Sequence, residues 1–254
     1  MPSTSGAIHT SPHVEQVISG DANPAYAAFH RPRFMFLIDV LRDCGATKSS
    51  RILDIGASQL TSLIAAEVGA QVESMGLERE ADAKKNVHHQ FDLNALQDPA
   101  QRRADVGPYD VIVFAEVIEH LYTAPELVLP YLRDLLVPGG VLLLQTPNAV
   151  SLRKRAKLLL GVNPFERIRP ERDNPGHFRE YTASELKDLL AGAGFSIDQV
   201  WMKHYFDVRY ARHNRGDEPP QLVVGALKNA LYRMLPASLR EGITILARRP
   251  GQAP

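Results

Sequence analysis

The stretch "YDVIVFA", Tyr109 to Ala115, is the strongest constraint on what this chain can become. Apart from Asp110 it is apolar at every position, so it cannot lie with one face in water. A strand apolar on both sides belongs inside a parallel sheet covered by helices above and below. The neighbouring segments agree. "RILDIG" reads as a strand and "TSLIAAEVGA" as a helix. "QVESMGLE" and "HHQFDL" read as second and third strands, "APELVLPYLRDLLVPGG" as a helix stopped by glycine, and "VLLLQTPN" as a fifth strand. This alternation predicts an α/β fold with a parallel sheet and right-handed crossovers.

A helix is expected over Pro24 to Cys44, and residues 1–20 are expected to be disordered, being small and polar. After Asn148 the rhythm breaks. Residues 151–176 are rich in Arg, Lys and Pro and fit a lid insertion, and a second insertion is expected near 209–240. "TASELKDLLAGAGF" is a helix with a capping box, Thr182 as N-cap and Glu185 three residues on. "SIDQVWMKHYF" and "ITILARR" complete the strands.

Lys+Arg and Asp+Glu are equal at 29 each, so no global field draws the chain to nucleic acid. Cys44 is the only cysteine, which excludes an intrachain disulfide. No apolar run approaches the roughly 20 residues that span a bilayer, and "MPSTSGAIHTSPH" has no signal-peptide pattern. A cytoplasmic protein without stable membrane insertion is the expectation.

In open α/β sheets ligands bind beyond the carboxyl ends of the strands, near the switch in strand order. Gly56, in "LDIGAS", lets backbone pass close to a ligand. Glu78 ends the second strand, where an acid can accept hydrogen bonds from ribose hydroxyls. Asp92 ends the third, where it can face an exocyclic amine. Here the chain resembles the class I S-adenosylmethionine-dependent methyltransferases, over roughly residues 45–205. "LDIGAS" stands at that family's glycine-rich motif, "GLE" at its ribose acid, "FDLN" at its adenine contact and "LLVPGGVLLLQTPN" at its fifth-strand segment. The resemblance implies one Rossmann-like, seven-stranded domain over 21–254 with its last strand antiparallel. It places S-adenosylmethionine against Asp54, Gly56, Ala57, Ser58, Glu78, Asp92, Leu93 and Ala115. The family usually repeats glycine after the first one. Here Ala57, Ser58, Gln59 and Leu60 follow, so the side chains of Ser58 and Gln59 must turn away from the cofactor or bond to it.

Beyond the fourth strand stand Glu116, Glu119 and His120. If the chain turns helical there, these are neighbours on one face, and two carboxylates repel unless something positive intervenes. A divalent cation, Mg²⁺ or Mn²⁺, is one answer. The E-x-x-E-H pattern with a later histidine resembles metal-dependent small-RNA 2′-O-methyltransferases and ubiquinone-pathway O-methyltransferases. That resemblance implies Glu116, Glu119, His120 and His177 as ligands, with His120 and Glu119 at the reacting hydroxyl. Without metal, the acids cap the turn, His120 alone serves as base, and His177 anchors the lid.

The lid's excess of Arg and Lys suits an anionic or glycan acceptor or a plain solvated face, and a solvated face is also expected for His30, Arg31 and Arg33. Tyr205, Phe206 and Tyr210 suit stacking on a sugar or ring, or core. A sugar hydroxyl of a glycan or glycoside is the first expectation for the acceptor. A catechol or quinone precursor is the alternative, kept open by the apolar "LVVGALKNALYRML", which equally suits a homodimer helix. A binding protein without turnover is the third possibility.

Overall fold

The computed structural model describes residues 24–77, 87–171, 175–212 and 219–251. Glu78 and the N-terminal segment 1–20 lie outside the described residues. Helix α1 spans Pro24–Asp43, and strand β1 (Arg51–Ile55) leads into α2 (Gln59–Val68). Strands β2 (Gln71–Gly76), β3 (His88–Gln90) and β4 (Tyr109–Ala115) follow, then α3 (Pro125–Asp134) and β5 (Leu136–Pro147). The chain continues through α4 (Leu152–Leu159), α5 (Ala183–Gly192), β6 (Ser196–Lys203), α6 (Leu222–Met234) and β7 (Gly242–Arg248). The seven strands form one sheet in the order β3-β2-β1-β4-β5-β7-β6. Strands β1 to β5 pair in parallel, and β7 runs antiparallel to both β5 and β6.

β4 shows why an uninterrupted apolar run was needed. Ile112 and Phe114 point into a core shared with α3 and α5, while Val111 and Val113 point into the opposite core beneath α1 and α2. All four are at most 3% exposed, and burying each such side chain contributes about 1.5–3 kcal/mol. The helices are stopped by local chemistry. Gly69 closes α2 at φ +70°, and the expected capping box opens α5: Thr182 Oγ1 accepts from Glu185 N–H, and Glu185 accepts from Thr182 N–H. Among the described residues no helix is long and apolar enough to cross a membrane.

One boundary differs from expectation. "LVPGG" does not end the helix; α3 stops at Asp134 and those residues belong to β5. Tyr109 already pairs with Leu136, and a register shift follows before Val111 meets Val141. The two glycines serve this irregular start of the strand. Gly139 takes φ +84°, and a Cβ at Gly140 would lie 2.9 Å from the Val137 carbonyl oxygen.

Candidate active site

Strand order reverses between β1 and β4, so the crevice beyond their carboxyl ends is the position for a ligand in this architecture. Gly56 follows β1 at φ +82°, and its N–H donates to the Met75 carbonyl at 2.8 Å. A Cβ there would stand 3.1 Å from Val117 Cγ2. Ser58, where the resemblance led to a glycine being expected, is committed to the helix. Its Oγ accepts from Leu60 N–H, and its own N–H donates to Thr61 Oγ1, a reciprocal cap on α2. Thr61 Oγ1 in turn donates to buried Asp54 at 2.6 Å, fixing the end of β1 to the first turn of the helix. Gln59 is buried. The polar residues after Gly56 thus turn into the fold and leave the backbone facing the crevice.

Asp92 lies past β3 and accepts from Asn94 N–H at 2.9 Å through one carboxylate oxygen. Leu93 is buried beside it, and half-buried Ala115 ends β4. Asn94, the last residue of "FDLN" and not among the expected site residues, accepts from the N–H groups of Tyr122 and Thr123. It ties the loop after β3 to the E-x-x-E-H turn.

That turn is a short 3₁₀ segment, Ile118–His120, rather than the start of an α-helix. Glu116 enters it at φ +57°, the one positive-φ residue other than glycine among the described residues, and donates its N–H to the Gln145 carbonyl. Such a conformation costs roughly 1–2 kcal/mol. Glu119 is completely buried. Its Oε2 accepts from Thr146 Oγ1 at 2.8 Å, while Oε1 has no hydrogen-bond partner. Burial, and then the neighbouring charge of Glu116, hold its carboxyl well above the usual range. Its main-chain oxygen accepts from Phe178 N–H at 2.8 Å and from Arg179 N–H at 3.3 Å, which draws the segment containing His177 onto the turn.

The two histidines are oriented by the same segment. His120 Nδ1 lies 2.9 Å from the Gly176 carbonyl oxygen, an acceptor only, so Nδ1 carries the proton and Nε2 the free lone pair. His177 Nδ1 lies 3.1 Å from the Glu180 carboxylate, which assigns its tautomer in the same way. Burial first, and the charge of His120 second, lower the His177 pKa to about 4, so its ring is neutral near pH 7. The rings approach to 4.8 Å between centroids at 80°.

One ligand atom each from Glu119, His120 and His177 lies within 4.8 Å of the others, the one such group among the described residues. Of the four expected ligands, Glu116 is therefore not in the cluster. Its carboxylate faces Arg33 on α1, 3.9 Å away. Arg33 is itself buried, not on the solvated face expected of it, because the crevice draws its guanidinium inward toward Glu116. Lys154 of α4, one of the cations of the 151–176 segment, turns inward, contacts the Glu180 carboxylate and donates to the Asn148 carbonyl. Tyr205 is core and accepts from Thr244, whereas Phe206 stacks on Phe29 at 4.9 Å. Beside His177 lies a cavity of about 340 Å³, lined also by Phe165, Glu166, Ile168, Phe178, Arg179 and Glu180.

Residues 29–200 match the family model described as "Methyltransferase domain". A Mycolicibacterium smegmatis protein named "Probable S-adenosylmethionine-dependent methyltransferase" is 38% identical over 94 residues, which is 36% of this chain and 30% of that one. A ubiquinone biosynthesis O-methyltransferase from Burkholderia thailandensis is 26% identical over 156 residues, 59% of this chain and 66% of that one. The chain thus spans under a third of the first relative's length and about two thirds of the second's. In fold it is similar to magnesium protoporphyrin IX methyltransferase from Synechocystis with bound S-adenosylhomocysteine. The TM-score is 0.56 at 14% identity, over 93% of each chain.

Proposed function

The chain belongs to the methyltransferase-domain family, and from that premise we propose that it transfers the methyl group of S-adenosylmethionine to a hydroxyl of a small-molecule acceptor. We place the reacting hydroxyl at Glu119, His120 and His177, with a divalent cation held by those three side chains. The observation that carries this is the pairing of a partnerless buried carboxylate oxygen with two imidazoles whose Nδ1 protons are both engaged elsewhere. Metal-ligating histidines are oriented in this way by a carbonyl or carboxylate on their other nitrogen. One carboxylate and two imidazoles suit Mn²⁺ or Fe²⁺, with Mg²⁺ tolerated.

The bound cofactor supplies an electrophilic methyl on a sulfonium. The cation, when bound, lowers the pKa of a hydroxyl and orients it. The chain's own contribution is positioning. The loop from Gly56 to Ser58, with Asp92, Leu93 and Ala115, and Glu78 by the family resemblance, holds the cofactor. The strained Glu116 backbone turns Glu119 and His120 toward the acceptor. The Gly176 contact fixes the tautomer that leaves the lone pair on His120 Nε2, which is a ligand when the cation is bound and the base for the hydroxyl proton when it is not. Phe165, Ile168 and Phe178 give the cavity beside His177 an apolar side for an aromatic body such as a catechol, and Glu166, Arg179 and Glu180 line the rest of it.

A metal-free reaction with His120 as the base is the second reading, favoured by the same tautomer. Methyl transfer from labelled S-adenosylmethionine to a panel of catechols, glycosides and nucleosides, with chelator and with Mn²⁺ or Mg²⁺ restored, separates the two. Loss with chelator and recovery with metal supports the three-ligand site. Activity indifferent to chelator but abolished in His120→Ala supports the base alone. Absence of S-adenosylhomocysteine binding at millimolar concentration refutes both.

A further inference from the structure

The described residues expose eighteen large hydrophobic side chains, and thirteen lie on two segments: seven on α4 and the chain to Ile168, six on α6. Exposure there is nearly complete for several. Leu159 is 88% exposed, Leu160 80% and Met234 82%. Helix α6 is held by a narrow seam. Gly225 packs against the Arg209 backbone, and buried Asn229 donates to Asp207 at 2.8 Å. The rest of the helix presents Leu222, Val223, Val224, Leu227 and Leu231 outward. The two segments adjoin. Asn148, just before α4, donates to the Ser238 and Arg240 carbonyls just past α6, and the Arg153 charge acts on the Tyr232 hydroxyl.

The charges on these segments are mostly positive. Leaving aside Lys154, which turns inward to Glu180, they carry Arg153, Arg155, Lys157, Arg167, Arg169, Lys228 and Arg233 against only Glu166 and Glu171. The chain as a whole is neutral, so this is a local excess. Helices with outward leucines and methionine interleaved with Arg and Lys are suited to lie in a bilayer's headgroup plane, apolar side chains in the acyl boundary and cations among anionic phosphates. A second protein surface would have to supply apolar and acidic groups together, and these two segments have no acid-rich stretch to complement a second copy of themselves.

We propose that α4, the chain to Ile168, and α6 form a docking face for an anionic lipid surface. Phe165 and Ile168 belong both to this face and to the lining of the cavity beside His177, so the docked face frames that opening. The test reads binding alone, so its failure and failure of the methyl-transfer reading are distinguishable.

The full chain is sedimented with vesicles of phosphatidylglycerol and phosphatidylcholine, and with phosphatidylcholine alone, in low and high salt. Strong partitioning to the anionic vesicles, reduced by salt, is expected. Each Lys or Arg at such a surface contributes about fivefold, so the double variant Arg155→Glu/Lys157→Glu should lose at least about 25-fold. Leu159→Glu/Leu160→Glu and Val223→Glu/Leu227→Glu should each lose at least about tenfold, with unchanged circular dichroism melts because all four side chains are exposed. Equal binding to both vesicle types, or variants that bind as wild type, would overturn the proposal. So would a stable dimer in solution that ignores vesicles and is dissolved by Val223→Glu/Leu227→Glu, which would assign the face to a second copy.

Discussion

Glu119→Gln should make the metal-free protein more stable while removing its response to metal. The side chain is fully buried, with one oxygen satisfied by Thr146 and the other by nothing. Leaving a buried polar acceptor unpaired costs about 1–3 kcal/mol, and more once it is charged. A glutamine of the same shape keeps the bond from Thr146 through its oxygen, and its NH₂ can donate toward the free nitrogens of the His120 and His177 pair. A gain of about 1–3 kcal/mol is therefore expected near pH 8. At about 2–4 °C per kcal/mol for a chain of this size, the melting point should rise by roughly 2–12 °C. The sign with pH is fixed by the raised carboxyl pKa, caused first by burial and then by Glu116. Below the ordinary carboxylate range both folded and unfolded states are protonated and the variant has no advantage. As pH rises the unfolded state ionises first, wild type loses stability, and the gap opens until the folded carboxyl also ionises.

Metal should invert the order. A ligand at about 100 times its dissociation constant adds about 2.7 kcal/mol to the state that binds it. Mn²⁺ should therefore raise the wild-type melting point and leave Glu119→Gln unmoved. Because the site carboxyl is protonated more readily than usual, binding should also release a proton, seen by calorimetry in two buffers of different ionisation enthalpy. Differential scanning calorimetry at pH 5 and pH 8, with and without Mn²⁺, tests the whole chain of reasoning. A variant less stable than wild type at pH 8 without metal, together with equal Mn²⁺ shifts in both proteins, would refute it.

Gly56→Ala should cost about 1–2 kcal/mol of stability, because φ +82° disfavours a side chain and Val117 already stands 3.1 Å away; it should also weaken S-adenosylhomocysteine about tenfold by calorimetry, about 1.4 kcal/mol. Gly225→Ala places a Cβ 2.5 Å from Arg209 Cα, a backbone atom that cannot swing aside, so urea unfolding should show a loss of about 1–3 kcal/mol. Glu73→Gln should cost about 1–3 kcal/mol at neutral pH, since its carboxylate accepts from Arg51 and Tyr109 and pairs with His89. Burial raises the Glu73 pKa, but those hydrogen bonds bring it below the usual value. Wild type should accordingly lose its advantage as pH falls through the folded carboxyl's range, and thermal melts across pH 3–7 check it.

The sheet could be read from the sequence because burial on two faces leaves a composition signal. Four alternating positions of β4 feed two separate cores, and no surface strand tolerates that pattern. In "LVPGG" the local signal points the other way, because glycine after an amphipathic helix is ordinarily a stop. Here the same residues serve the irregular start of a strand, decided by the partner Tyr109 rather than by local preference. The cap on α2 was hidden for a related reason. Threonine stands where glutamate usually completes the box, and Ser58 sits where the family resemblance implies a glycine for the cofactor rather than a helix cap.

The site was legible as a pattern and not as a geometry. E-x-x-E-H names three side chains, but which of them converge depends on one backbone angle. A helical continuation would have put Glu116 with Glu119 and His120. With Glu116 at positive φ its carboxylate instead faces Arg33, which favours its charged form. His177 then takes the vacated place because main-chain bonds from Phe178 and Arg179 to Glu119 fix its segment. Sequence spacing cannot report such a contact, since it is made by backbone atoms that every residue has. The consequence is specific. If the strained turn sets the site, Glu116→Gly relieves the backbone cost and loses only the Arg33 pair, so cation binding by Glu119, His120 and His177 should survive it. Glu116→Ala keeps the strain and should bind the cation equally well. Loss of Mn²⁺ binding in both variants would make Glu116 a ligand and return the four-residue set.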